Sequence, residues 1–122
     1  HGSTFGGNPL ASAAANAVLD VILEDGFLDH VSEMGKYLEQ KLTEISTKYE
    51  FLGDVLGRGL LLGIQCKNNT LNLDLVQKAQ NYGLLTVPAG NNVIRFLPPL
   101  VVNETEIDEA LNIFNQACVN IG

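Results

Sequence analysis

Two stretches of this 122-residue sequence combine residue types from which a binding site can be built. The first is the loop Ser3-Thr4-Phe5-Gly6-Gly7-Asn8, which offers two hydroxyls and several unencumbered backbone amides just before Asn8-Pro9. Asparagine caps the open amides of a helix start, and proline fits the first turn because its missing N–H costs nothing there. A helix N-terminus carries partial positive charge, so a phosphate or a carboxylate is a chemically reasonable occupant. The loop has neither the Gly-Lys-Ser/Thr ending of a nucleotide phosphate loop nor a G-x-G-x-x-G pattern. Taken alone, these residues favour a plain structural turn over an anion site.

The second stretch is "VIRFLPP", in which Arg95 sits in an apolar, strand-like run with Val93 and Leu97 on its side. A guanidinium among such neighbours calls for a partner, either a carboxylate of the protein or one belonging to a ligand. Residue chemistry alone favours the internal ion pair. Arg58, between two glycines, points to a loop or to solvent. Lys36, Lys41, Lys48, Lys67 and Lys78 fall on polar helix faces or loop edges and suit solvated charge, not a buried reactive amine. Cys66 and Cys118 lie far apart in apolar patterns and are expected as buried, reduced thiols; with His1 and His30 equally isolated, no metal constellation is expected.

These residues have to be held by regular elements, and the periodicity supplies them. A first helix is expected over residues 10–25, ending at Gly26, with a run of small side chains from Ala11 to Ala17 suited to close packing. A second, over residues 28–49, carries an apolar stripe at Val31, Met34, Leu38, Leu42 and Ile45. Leu60, Leu62, Ile64 and Cys66 alternate as in a strand, with Gly57 and Gly59 before them suggesting a bulge or a close backbone approach. Asn72 can cap a short helix ending at Gly83. Two strands then flank the turn Gly90-Asn91-Asn92, and Pro98-Pro99 ends the second. Asn103 with Glu106 opens a last helix as a capping box, with a stripe at Ile107, Ala110, Leu111, Phe114 and Ala117. The expected fold is α+β: a small antiparallel or mixed sheet with helices packed on one face.

Composition narrows the function. Fourteen acidic residues against seven basic ones leave a net charge of −7, with the basic residues scattered. Nucleic acid and anionic membranes are therefore poor partners. Apolar runs such as Leu60–Ile64 are interrupted within a few residues, so no membrane span is expected.

Four stretches, "HGSTFGGNPLASAAANAVLD", "GRGLLLGIQC", "GLLTVPAGNNVIRFLPPLVV" and "NETEIDEALNIF", follow one another across essentially the whole chain. Together they resemble the C-terminal third of the class III (ornithine-type) pyridoxal-phosphate aminotransferases, and most of all the members that act on N-acetylornithine. At Leu56 the sequence departs from the family, which often carries arginine before that glycine. The resemblance implies residues 1–26 as an interface loop and linking helix from a large cofactor domain, and 27–122 as the small α+β domain. It implies pyridoxal 5′-phosphate as cofactor, with Thr4 binding its phosphate across a homodimer interface. It places Ser3 against the bound acetylornithine and gives Arg95 a substrate carboxylate.

The family's cofactor-bearing lysine, the aspartate that pairs with the cofactor ring and the glycine-rich phosphate loop are expected upstream of His1. The chain by itself is thus expected to contain no catalytic residue and to be inactive. The implied activity of the whole enzyme is amino-group transfer between N-acetylornithine and 2-oxoglutarate, in the cytoplasm, for arginine biosynthesis. Ornithine, 4-aminobutyrate and succinylornithine are alternative donors, and a non-catalytic binding module of the same fold is the alternative of another kind.

Overall fold

A computed structural model describes residues 26–121. The chain divides into two compact units, residues 1–30 and 31–122. The expected first helix, with Ser3 and Thr4 ahead of it, lies outside the described residues.

Helix α1 spans Phe27–Lys48 and buries Met34, Leu38, Leu42 and Ile45, four positions of the expected stripe, with Val31 half-buried at its edge. Gly35 is buried among them, and a Cβ there would lie 2.6 Å from the Gly59 carbonyl oxygen. The helix therefore runs hard against the turn between the first two strands.

Those two strands, β1 (Leu52–Arg58) and β2 (Leu61–Cys66), correct the expectation of a single strand in this stretch. Leu52 pairs with Cys66 and Val55 with Ile64, so Gly53 and Asp54 together oppose Gln65 in a bulge. The extra residue destroys the period-two alternation by which β1 could have been recognised. The expected close backbone approach is present at Gly57, which has φ +113°; a Cβ there would fall 1.9 Å from the Leu61 carbonyl oxygen.

Helix α2 covers Asn72–Asn81. Its N-cap is Leu71, not Asn72, and the Leu71 side chain makes no capping hydrogen bond; the first helical amide, that of Asn72, donates to Asn92 Oδ1 (2.7 Å). The Asn72 carboxamide donates instead to the carbonyls of Ala89 (3.0 Å) and Val93 (2.8 Å) on the neighbouring hairpin. That hairpin consists of β3 (Val87–Ala89) and β4 (Val93–Phe96), joined through Gly90, Asn91 and Asn92 as expected. Both asparagines have φ +61°, a left-handed conformation that asparagine tolerates better than most residues. Helix α3, Glu104–Val119, begins with the expected capping box: Asn103 Oδ1 accepts from the Glu106 amide (2.8 Å), and Glu106 Oε1 accepts from the Asn103 amide (3.1 Å).

The four strands form one antiparallel sheet in the order β1-β2-β4-β3, an α+β architecture. Leu62, Ile64 and Cys66 of β2 and Ile94 and Phe96 of β4 join a core with Leu38 and Leu42 of α1, Leu75 and Ala79 of α2, and Ile107, Leu111 and Phe114 of α3. Phe96 and Phe114 meet edge to face at 4.9 Å. Cys66 and Cys118 are buried free thiols. The alternation that sends these side chains inward turns Leu61, Arg95 and Leu97 outward to solvent.

Candidate functional site

Arg95 is the one expected site residue that the described structure contains. It sits in the middle of the sheet's outer face, between Gly63 of β2 and Val87 of β3, and Leu56 of β1 lies beyond Gly63 in the same cross-strand row. Its two neighbours in β4, Ile94 and Phe96, are buried, so strand geometry alone directs the guanidinium outward. Leu56 (45 % exposed), Leu61 (65 %) and Leu97 (50 %) give this face an apolar frame.

The internal ion pair favoured on residue chemistry is not formed: among the described residues the sole ion pair is Lys41–Glu44, at 3.9 Å on the surface of α1. The physical reason is exposure. An outward guanidinium remains hydrated, so the desolvation that demands an internal partner does not arise. What it presents is an unclaimed planar fork of N–H donors, the geometry that binds a carboxylate through two parallel hydrogen bonds.

Two features hold the strand that carries it. Gly63 leaves no side chain opposite Arg95, and β2 and β4 approach so closely there that a Cβ would lie 2.7 Å from Val93 Cγ1 and 2.9 Å from the Ile94 carbonyl oxygen. At the start of β4, Asn92 Oδ1 accepts from the Asn72 amide (2.7 Å), while Nδ2 donates to the carbonyls of Cys66 (3.0 Å) and Thr70 (2.7 Å). The Asn92 carbonyl in turn accepts from the Cys66 amide at 2.8 Å. In the sequence, Asn92 reads as a turn residue, and nothing marks Gly63 as a point of close strand contact. Two consecutive asparagines mark the left-handed turn, but nothing in the sequence shows which of the two has its side chain folded inward.

The remaining polar groups are arranged for structure. Lys36, Lys48 and Lys67 are exposed, Lys41 and Lys78 are half-buried at the surface, and none of the five is a buried amine. Arg58 is exposed as expected. Tyr37 donates to Asp108 Oδ1 at 2.5 Å, tying α1 to α3, and this hydrogen bond is the main reason its phenol is pushed up to about 12. Burial pushes the Cys66 thiol up to about 11 and the Cys118 thiol to about 12, which leaves both protonated and unreactive at neutral pH. Among the described residues no cluster of His, Cys, Asp or Glu is disposed to hold a metal ion, and no helix is long and apolar enough to cross a membrane. A groove of about 220 Å³ beyond the end of β4 is lined by Leu38, Leu85, Leu97 and Pro98 with Glu106 at its rim, and has little polar character.

The described unit is an antiparallel sheet that buries one face under helices and carries on the other an arginine with no ion-pair partner among the described residues. Comparison with known proteins gives that unit its family. The aminotransferase class-III family model matches residues 1–118. Acetylornithine aminotransferase 1 of Bradyrhizobium diazoefficiens is 52% identical over 122 residues, covering 99% of this chain and 30% of that protein. The Bacillus subtilis acetylornithine aminotransferase is 44% identical over 117 residues, covering 96% and 30% respectively. Among solved structures, the acetylornithine aminotransferase of Elizabethkingia anophelis superposes with a TM-score of 0.79 at 32% identity, over 98% of this chain and 32% of that one. The ornithine aminotransferase of Plasmodium yoelii gives 0.80 at 31% identity, over 100% and 32%. The chain belongs to the class III aminotransferases and spans about a third of the length of the relatives it matches.

Proposed function

We propose that this chain acts as the C-terminal third of a pyridoxal-phosphate-dependent aminotransferase that moves an amino group between N-acetylornithine and 2-oxoglutarate, as a cytoplasmic homodimer serving arginine biosynthesis. The observation that carries the reading is Arg95: an outward guanidinium with no carboxylate partner among the described residues, in a family whose substrates are amino acids and 2-oxo acids. The names of the relatives support the acetylated donor. Ornithine is the second reading, favoured by a structural likeness to ornithine aminotransferase as strong as that to the acetylornithine enzymes.

In this reading the residues divide the work. Pyridoxal 5′-phosphate, when bound, supplies the electron sink for amino-group chemistry. Thr4 donates its hydroxyl to the cofactor phosphate in the partner's site of the dimer. Ser3 lies against the donor. Arg95 holds a substrate carboxylate by a two-pronged contact and thereby orients the substrate. All five lysines of the chain are at the surface, so the amine that carries the cofactor is supplied by a segment outside this chain.

The test is turnover by the full-length protein of N-acetylornithine, ornithine, 4-aminobutyrate and succinylornithine, each with 2-oxoglutarate. N-acetylornithine is expected to have the highest kcat/KM. Arg95→Lys is expected to raise KM for the carboxylate substrates by about tenfold or more, since a hydrogen bond to a charged group contributes about 1.5–3 kcal/mol, while leaving cofactor retention unchanged. Equal losses of substrate and cofactor affinity would identify Arg95 as structural.

A further inference from the structure

The side chain of Asn92 does more than shape a turn. Because its backbone is left-handed, residue 92 cannot continue the regular β2–β4 ladder beyond the Gln65–Val93 pair. Its carboxamide continues the pairing in place of the backbone N–H. Asn92 Nδ2 donates to the Cys66 carbonyl while the Asn92 carbonyl accepts from the Cys66 amide, so both polar groups of Cys66 are matched by one residue. The same carboxamide reaches Thr70 and the first amide of α2, and Asn72 returns two donors to the hairpin at Ala89 and Val93. The carboxamide oxygen, the carboxamide nitrogen and the backbone carbonyl of Asn92 are all engaged.

This clamp sits where the sheet is least able to hold itself. Strand β3 has three residues, one of them Pro88, which brings no N–H, and β4 has only four. Arg95 lies three residues beyond Asn92, opposite a glycine on one side and the short β3 on the other. At that row Gly63 offers no side chain to pack against, and the half-buried Val87 of the short β3 is the sole cross-strand side chain beside Arg95. Core packing of Ile94 and Phe96 decides which way β4 faces, and the hydrogen bonds at the Asn92 end pin its position along β2, and with it the origin of the guanidinium.

We infer that Asn92, locked to Asn72, Cys66 and Thr70, is a positioning residue that holds Arg95 in place to receive the substrate carboxylate. The inference rests on the carboxylate role proposed for Arg95, and the experiment separates the two. In the full-length holoenzyme, Asn92→Gly keeps the left-handed backbone and removes all three carboxamide contacts. KM for the amino donor and for 2-oxoglutarate is expected to rise about tenfold, with kcat within about twofold of the parent, because only the aim of a charge-assisted contact is lost. Asn91→Gly, in the same loop with the same φ, is expected to leave KM unchanged. In Asn92→Gly combined with Arg95→Lys, KM is expected to rise no further than with Arg95→Lys alone.

If Arg95→Lys raises KM and Asn92→Gly does not, the positioning role is overturned while the reading of Arg95 stands. If Arg95→Lys leaves KM unchanged, both are overturned. A fall in kcat, cofactor content and melting temperature with KM unchanged also overturns it, since that is the mark of a purely structural clamp. Should Asn92→Gly fail to fold, Asn92→Asp keeps the acceptor and the left-handed backbone but lacks the two donors; KM is expected to rise in the same direction, and an unchanged KM overturns the inference.

Discussion

Gly63→Ala isolates the close approach on which the outer face depends. A Cβ at residue 63 would stand 2.7 Å from Val93 Cγ1 and 2.9 Å from the Ile94 carbonyl oxygen, where ordinary contacts begin at 3.4 Å. Val93 is 7 % exposed and β-branched, so it has no spare rotamer to retreat into, and the carbonyl belongs to a paired strand. Relief therefore requires β2 and β4 to part by about 0.5 Å over this row. Overpacking of this kind costs about 1–3 kcal/mol, and the lower chain entropy of unfolded alanine returns about 0.4–1 kcal/mol, leaving a net loss centred on about 1.3 kcal/mol and at most about 2.6 kcal/mol. With a urea m-value of about 1.5 kcal/mol per molar, the midpoint falls by about 1 M, measurable by far-ultraviolet circular dichroism. Gly90→Ala is the control, because a Cβ there meets nothing within 4 Å. If the two alanine variants unfold at the same midpoint, the steric argument for Gly63 is wrong.

Two further predictions concern the frame. Asn103→Ala removes one half of the α3 capping box and is expected to cost about 1 kcal/mol in the same urea assay, whereas Asn112→Ala, exposed within the same helix, is expected to change little; equal shifts would mean that the cap contributes nothing specific. The buried thiols make stability depend on pH in a defined direction. Their folded values, about 11 for Cys66 and about 12 for Cys118, lie above the ordinary 9.0, so the folded state keeps protons that the unfolded state releases. The associated stability is fully present below pH 9 and is lost as pH rises through 9 towards 11–12, with Cys66 alone contributing up to about 3 kcal/mol. Unfolding midpoints should therefore fall between pH 8 and pH 11, and a thiol reagent should label neither cysteine in the native chain at pH 8. A flat midpoint together with rapid labelling would refute the burial argument.

Elements with an undisturbed period were readable from sequence. The stripe from Val31 to Ile45, the alternation from Leu60 to Cys66, the Gly90-Asn91-Asn92 turn and the Asn103–Glu106 cap each correspond to an observed feature, because each is a local pattern with a local cause. Strand β1 was missed for an equally local reason: the bulge at Gly53–Asp54 shifts the alternation by one residue, and the glycines at 53 and 57 leave little to alternate. Asn72 was misassigned because a helix-start asparagine has two competing uses. Here the carbonyls of Ala89 and Val93, brought near by tertiary structure, take its side chain, and the first helical amide is met by the Asn92 carboxamide from the hairpin instead of by a local cap.

The site was readable to the extent that it depends on residue type, and no further. That Arg95 would have to be paired or functional follows from a guanidinium in an apolar strand; which of the two requires knowing that residue 95 faces outward while 94 and 96 face the core. The parity of a four-residue strand is set by its partners. Gln65 opposite Val93 and Leu62 opposite Phe96 fix it, and a slip of one residue would bury the charge and expose Ile94. The hydrophobic gain of burying Ile94 and Phe96, about 1.5–3 kcal/mol each, and the larger cost of an unpaired buried guanidinium both oppose that slip. The core thus selects the direction in which Arg95 points. The Asn92 clamp adds what apolar packing supplies poorly, a fixed position along the strand, through directional hydrogen bonds to groups on three other segments.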